Sequence, residues 1–173
     1  DYPFCLAWAN HSWYNKTWEP GKEDKLLIEQ KYLGEEDDIK HFYHLLPAFM
    51  DERYIRINGK PLFVIYSPFD MPYTSRFINT WNRLAKENGI DGFYFVAQGA
   101  IRDKKKIVDM GFSAIYTIVL TIHEEKSFLF RAIHYIGKKC FNIPITYKYS
   151  EALDYYCKSL DKDIATIPSI IPN

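Results

Sequence analysis

Tyr54-Ile55-Arg56-Ile57-Asn58-Gly59-Lys60-Pro61-Leu62-Phe63-Val64-Ile65-Tyr66 sets an Asn-Gly pair between two β-prone stretches. Both turn positions tolerate the positive φ that a two-residue hairpin demands, so a short antiparallel strand is expected to abut the strand that follows. That strand, Pro61 to Tyr66, is a continuous apolar run, the pattern of a strand covered on both faces in a parallel sheet. Four more such runs occur, at Phe4 to Ala9, Gly92 to Ala97, Phe112 to Leu120 and Ala165 to Ile171. The segments between them carry helical spacing. Glu36 to Met50 puts Ile39, Phe42, Tyr43, Leu46 and Phe49 on one face behind an acidic first turn, with a kink or early end expected at Pro47. Thr74 to Glu87 turns Phe77, Ile78, Trp81, Leu84 and Ala85 inward and stops at Asn88-Gly89, and Asp103 to Met110 stops at Gly111. Glu124 to Tyr149 reads as an insertion with a helix over Phe128 to Ile136 and a loop, and Ser150 caps a last helix through Leu160. This recurring alternation predicts one α/β domain with parallel strands.

The composition bounds the function. Lys plus Arg and Asp plus Glu are balanced at 22 each, so the chain as a whole offers no net field to nucleic acid or anionic lipid. Aromatic residues are in excess at 17%, including 14 Tyr and 4 Trp. Flat apolar faces with a polar edge suit sugar rings, although an aromatic-rich core accounts for part of the excess. Cys5, Cys140 and Cys157 lack a pairing pattern and read as free, mostly buried thiols, a weak sign of a reducing compartment. No apolar run reaches the ~18 residues that cross a bilayer. The chain opens at Asp1 without a Met, so a targeting segment outside it is compatible with either a cytoplasmic or a cell-envelope location.

In parallel α/β folds ligands meet the loops at the carboxyl ends of the strands. After the first run come Trp8, Asn10, His11, Ser12, Trp13 and Tyr14, then Trp18, Glu19, Pro20 and Gly21. Three tryptophans in one loop are costly to expose, and together with Asn10 and His11 they point to a lined pocket. The next strand ends offer Tyr66-Ser67, Gln98-Gly99 and Tyr116-Thr117; Tyr116 suits the core better, whereas an amide such as Gln98 at the end of a buried strand calls for a hydrogen-bonding partner. Trp8 to Trp13 contains no glycine, which argues against a phosphate-binding turn and a nucleotide-binding doubly wound sheet. No Asp or Glu ends a strand, and Asp70 and Glu19 read as solvated turn carboxylates. His41 and His44 lie three apart without a third metal ligand and read as a surface pair, and His123-Glu124-Glu125 as a solvated cluster. Trp8, Asn10, His11, Trp13, Tyr66 and Gln98 are therefore the expected substrate-binding set, with no metal, no cofactor and no assigned catalytic residue.

Three ordered motifs carry a family resemblance: Pro3-Phe4-Cys5-Leu6-Ala7-Trp8-Ala9-Asn10 with Trp13, Leu27-Ile28-Glu29-Gln30-Lys31-Tyr32, and Tyr54 to Tyr66. Together they resemble the WbsX-like proteins related to glycoside hydrolase family 99, most strongly over residues 1 to 98. The resemblance implies a partial (β/α)8 TIM-type barrel, with residues 1–173 forming a single incomplete domain that holds approximately strands three to seven and the short hairpin before the fourth. Trp8, Asn10, Trp13 and Tyr66 occupy matching motif positions, while His11 stands where the family often has Glu. The family's paired glutamates near the eighth strand have no counterpart, so the isolated chain is expected to be catalytically inert. The implied function is assembly or processing of cell-surface polysaccharide such as O-antigen or capsule, by an endo-α-mannosidase-like glycosidase acting on an oligo- or polysaccharide. A lipopolysaccharide glycosyltransferase and a non-catalytic glycan-binding barrel are the alternatives.

Overall fold

The computed structural model describes residues 2–15, 21–116, 126–144, 146, 148, 150 and 166–167. The elements in chain order are β1 (Leu6–Trp8), β2 (Trp13–Asn15), β3 (Lys25–Ile28), α1 (Glu35–Phe49), β4 (Arg56–Ile57), β5 (Lys60–Ile65), α2 (Thr74–Glu87), β6 (Tyr94–Gln98), α3 (Lys104–Asp109), β7 (Ala114–Tyr116), α4 (Phe128–Phe141) and β8 (Thr166–Ile167). Strands β1, β5, β6, β7 and β8 lie side by side in that order, every pair parallel, and β4 adds antiparallel to β5. The α/β reading holds as a largely parallel six-stranded sheet with four helices; among the described residues the sheet does not close into a barrel.

The hairpin forms where the sequence places it. Asn58 and Gly59 take φ of 51° and 77°, the left-handed pair that a tight turn needs, and Ile57 sits opposite Lys60. Buried Tyr54 then ties this corner to the sheet, because its hydroxyl donates to Leu62 O at 2.8 Å and accepts from Leu6 N–H at 3.1 Å. Burial pushes the Tyr54 phenol up to about 12.

Strand alternation divides the sheet into two faces. Leu6, Trp8, Phe63, Ile65, Phe95, Ala97 and Ile115 share the face that joins one core with the helices. Rings dominate that core. Trp81 of α2 is fully buried and packs against Phe42, Phe49, Phe63, Phe77 and Phe93, with its indole N–H donating to Asp38 O of α1 at 3.0 Å. A large share of the aromatic residues thus packs between sheet and helices, at centroid separations such as 4.6 and 4.8 Å that suit tilted contacts.

Several boundaries and faces differ from the sequence expectation. Helix α1 runs through Pro47 to Phe49 without stopping, since a proline three residues from the end forfeits one bond that the last turn can spare. Its Tyr43 is exposed, and Leu45 packs on the core in its place. His41 and His44 are not a surface pair: His44 is exposed, but His41 meets Trp8, Phe63 and Trp81 edge-on at 4.8 to 6.4 Å. The antiparallel β2–β3 ribbon was not anticipated, because its strands of three and four residues expose both faces and show no burial pattern to read. Helix α4 continues five residues past Ile136. The expected helix after Ser150, together with Thr117 to Leu120, His123 to Glu125, Cys157 and most of Ala165 to Ile171, lies outside the described residues.

Burial among the rings holds the His41 imidazole below its ordinary value, so the folded protein keeps it neutral. Between the unfolded pKa of about 6.5 and the lower folded one, the unfolded chain binds the extra proton. This contribution to stability is complete above pH ~6.5 and is lost as pH falls through that window. Urea midpoints of the protein should drop between pH 7.5 and 5.5, and His41→Phe should flatten the dependence; an equally steep profile in the variant would assign the sensitivity elsewhere.

Candidate functional site

The carboxyl ends of β1 and β5 are joined through one side chain. Asn10, two residues past β1, is fully buried. Its amide nitrogen donates to Ser67 O at 2.8 Å and to the Tyr32 hydroxyl at 2.9 Å, and its Oδ1 accepts from Ser67 N–H at 2.7 Å. The Tyr32 hydroxyl in turn donates to Asn10 O at 2.8 Å. Both amide protons and the amide oxygen are therefore in use, as a buried amide requires. Burial raises the Tyr32 phenol above its usual value, which keeps it protonated and able to donate. Ser12 Oγ accepts from Gln30 N–H at 3.1 Å, a second tie between the loop after β1 and the return of the ribbon.

Beside this clamp opens a cleft of about 690 Å³ lined by His11, Ser12, Trp13, Tyr14, Tyr66, Ser67 and Asp70. The His11 ring lies 5.0 Å from Tyr66 at 31° and 6.5 Å from Trp13 at 17°, a near-parallel file of three rings. Its Nδ1 is buried and has no hydrogen-bond partner among the described residues. Asp70 sits in the single 3-10 turn Pro68–Asp70, held by its own N–H to Ser67 O at 3.2 Å, so the Asn10 clamp also fixes where this carboxylate stands. Flat faces, an imidazole and one carboxylate in an open groove provide stacking surface and hydrogen-bond acceptors for a hydroxyl-rich ligand.

Of the expected binding residues, the structure brings His11, Trp13 and Tyr66 together in this cleft. Trp8 does not join them. It lies on the helix face, against Tyr32, His41 and Phe77, because alternation from Leu6 turns it toward the core. Asn10 is beside the cleft but consumed by the clamp, which makes it a positioning residue. Gln98 shares the opposite sheet face and the same end with Tyr66, yet it lines no part of the cleft; its Oε1 accepts from the Tyr116 hydroxyl at 2.9 Å. The partner that a buried-strand amide calls for is thus supplied in part by the neighbouring strand. Tyr116 is half-buried there, and burial raises its phenol. Asp70 is the residue the sequence reading set aside. Its signal was the Tyr66-Ser67-Pro68 strand end itself, since a tight turn right after a strand keeps the next side chains at the rim. Trp18 and Glu19 lie outside the described residues. Among the described residues no three potential metal ligands converge.

The family described as Glycosyltransferase WbsX matches residues 1–173. Two curated relatives, each called Uncharacterized protein WxcX and from Xanthomonas campestris pv. campestris strains B100 and ATCC 33913, are 30% identical over 113 residues, 65% of this chain and 16% of the relative. The chain therefore spans about one sixth of the length of those relatives. No solved structure matches significantly.

Removing the clamp should be costly out of proportion to the size of the side chain. Asn10→Ala strands Ser67 N–H, Ser67 O and the Tyr32 hydroxyl, and at about 1–3 kcal/mol for each buried group left unpaired it should cost on the order of 3 kcal/mol or more. Tyr32→Phe keeps both Asn10 bonds to Ser67 but strands one Asn10 amide N–H and the Asn10 carbonyl, and should cost about 2 kcal/mol. Denaturant titration checks the ranking, and equal losses in the two variants would contradict it.

Proposed function

The chain belongs to the Glycosyltransferase WbsX family, and on that premise we propose that its cleft is a sugar-binding wall of a domain that assembles or processes cell-surface polysaccharide. One observation carries this reading: the carboxyl ends of β1 and β5 present the rings of Trp13, His11 and Tyr66 in file beside the Asp70 carboxylate, in one open groove. Pyranose rings stack on such faces through their C–H patches, while the Asp70 carboxylate takes hydrogen bonds from ring hydroxyls. The groove admits several sugar units, which suits a polysaccharide rather than a monosaccharide.

We further propose that residues 1–173 form one segment of a (β/α)8 barrel. The support is topological. Each parallel strand from β1 to β8 adds to the same side of its predecessor, and the order never reverses as it does in doubly wound sheets. A run of this kind continues naturally into a closed ring.

Transfer is favoured over endo-α-mannosidase-like hydrolysis related to glycoside hydrolase family 99 by the family description, which names a glycosyltransferase. The glycan-binding role of His11, Trp13 and Tyr66 is common to both reactions and to a barrel that binds without catalysis; Gln98, one strand further along the same edge, is the candidate for an extension of the binding surface.

Calorimetric titration of the protein with a panel of mannose-, glucose- and galactose-containing oligosaccharides tests the reading. Trp13→Ala and Tyr66→Ala should each weaken binding about ten- to a hundredfold, the scale of one large apolar contact, while the Tm stays put. Trp8→Ala should do the reverse and cost roughly 3 kcal/mol of stability, with binding changed only through that loss. Undiminished affinity in both cleft variants would sink the assignment.

A further inference from the structure

Helix α4 is capped at both ends. Ser127 caps its start, the side chain accepting from Phe130 N–H at 3.3 Å. Asn142 closes its end in the left-handed conformation with φ of 52°, and Ile143 N–H returns to Gly137 O at 3.2 Å. None of its residues is buried. A helix of 14 residues is marginal in water unless an amphipathic face is covered.

The face is well defined. Leu129, Ile133, Ile136 and Cys140 recur at spacings of four, three and four and are all exposed. Phe128 and Phe141 stand at the two ends with 79% and 72% exposure, and Ile143 prolongs the stripe past the cap. Away from the stripe lie Arg131 and Lys138, with Lys139 at its margin, where its ammonium donates to the Tyr135 hydroxyl at 3.3 Å. From Lys126 to Ser150 the sequence has five Lys and Arg and no Asp or Glu.

From this charge and face we infer that α4 docks flat on an anionic lipid surface, its stripe in the acyl boundary and its cations among the headgroups. An apolar stripe with end aromatics opposite an all-cationic polar side is the composition of interfacial helices. At 1.5 Å per residue the helix is about 21 Å long, short of the ~30 Å hydrocarbon core, so it lies on the bilayer rather than across it. A second copy of the same helix would cover the stripe but leave the cations without anionic partners, since the segment from Lys126 to Ser150 carries no Asp or Glu.

Flotation of the whole protein with phosphatidylglycerol vesicles, and in parallel with phosphatidylcholine vesicles, tests the inference. Binding is expected to the first and not the second, and to fall away as salt rises. Lys138→Gln with Lys139→Gln leaves the apolar stripe intact and should weaken binding about 25-fold, at roughly fivefold per cation. Alkylation of Cys140, followed by peptide mass mapping, should be fast in buffer and slowed by phosphatidylglycerol vesicles. Three outcomes overturn the proposal: no flotation with the anionic vesicles, unchanged binding in the double variant, or a Cys140 already shielded without lipid, which would mean that protein covers the stripe.

Discussion

The candidate site depends on a single amide that the fold cannot leave unsatisfied. Asn10 is buried at the point where three stretches of chain meet: the exit of β1, the turn after β5, and Tyr32 on the return from the ribbon. A primary amide is the right side chain here, since it presents a donor and an acceptor in one plane and so pairs with both the N–H and the C=O of Ser67. Aspartate would lose the donors and leucine would lose both. The clamp sets the separation of the two strand ends and thereby where Trp13, Tyr66 and Asp70 stand across the groove.

The aromatic residues divide between two jobs, and the sheet decides which. Phe63, Phe95 and Trp8 face the helices and join the ring-on-ring core around Trp81, where edge and tilted contacts fill volume. Tyr66 follows Ile65 and so turns to the opposite side, as do Gln98 after Ala97 and Tyr116 after Ile115. One residue of register thus separates the side chains of the core from those on the opposite face of the sheet. His41 shows how the core acts on a titratable ring: burial among indoles and phenyls disfavours the charged imidazole.

Much of this was legible in the sequence. The Asn-Gly turn, the buried runs and the amphipathic pattern of α2 located the hairpin, three of the parallel strands and a helix end to within a residue or two. Those signals are local: turn chemistry at Asn58-Gly59, apolar continuity at Pro61 to Ile65, a helix stop at Asn88-Gly89. The strand-end rule also named His11, Trp13 and Tyr66, which line the cleft. What escaped reading depends on pairing between distant segments. Trp8 and Trp13 look alike in a loop-rich motif, yet one sits on a strand whose alternation sends it inward and the other begins an exposed ribbon whose partner is some dozen residues away. Asn10 read as a ligand for sugar because it brings hydrogen-bonding groups to the tryptophan-rich loop, and nothing in the sequence reveals that Ser67 and Tyr32 engage them. Asp70 was passed over for lying in a turn, although the turn is what brings it to the groove.

Charge is the other property that an average conceals. Balanced at 22 against 22, the chain as a whole argues against any anionic partner. The balance is not uniform, however. Setting aside the five cations between Lys126 and Ser150 leaves 17 against 22 acids, so the remainder is distinctly acidic. At the ~8 Å screening length of physiological salt, what an approaching surface senses is the local segment and not the sum. An acidic body is repelled by anionic headgroups while the basic helix is drawn to them, and the two effects reinforce each other in selecting orientation. The neutral total and a strongly oriented approach to a lipid surface are therefore compatible, provided that the cations and the apolar stripe occupy one segment, as they do from Lys126 to Ser150.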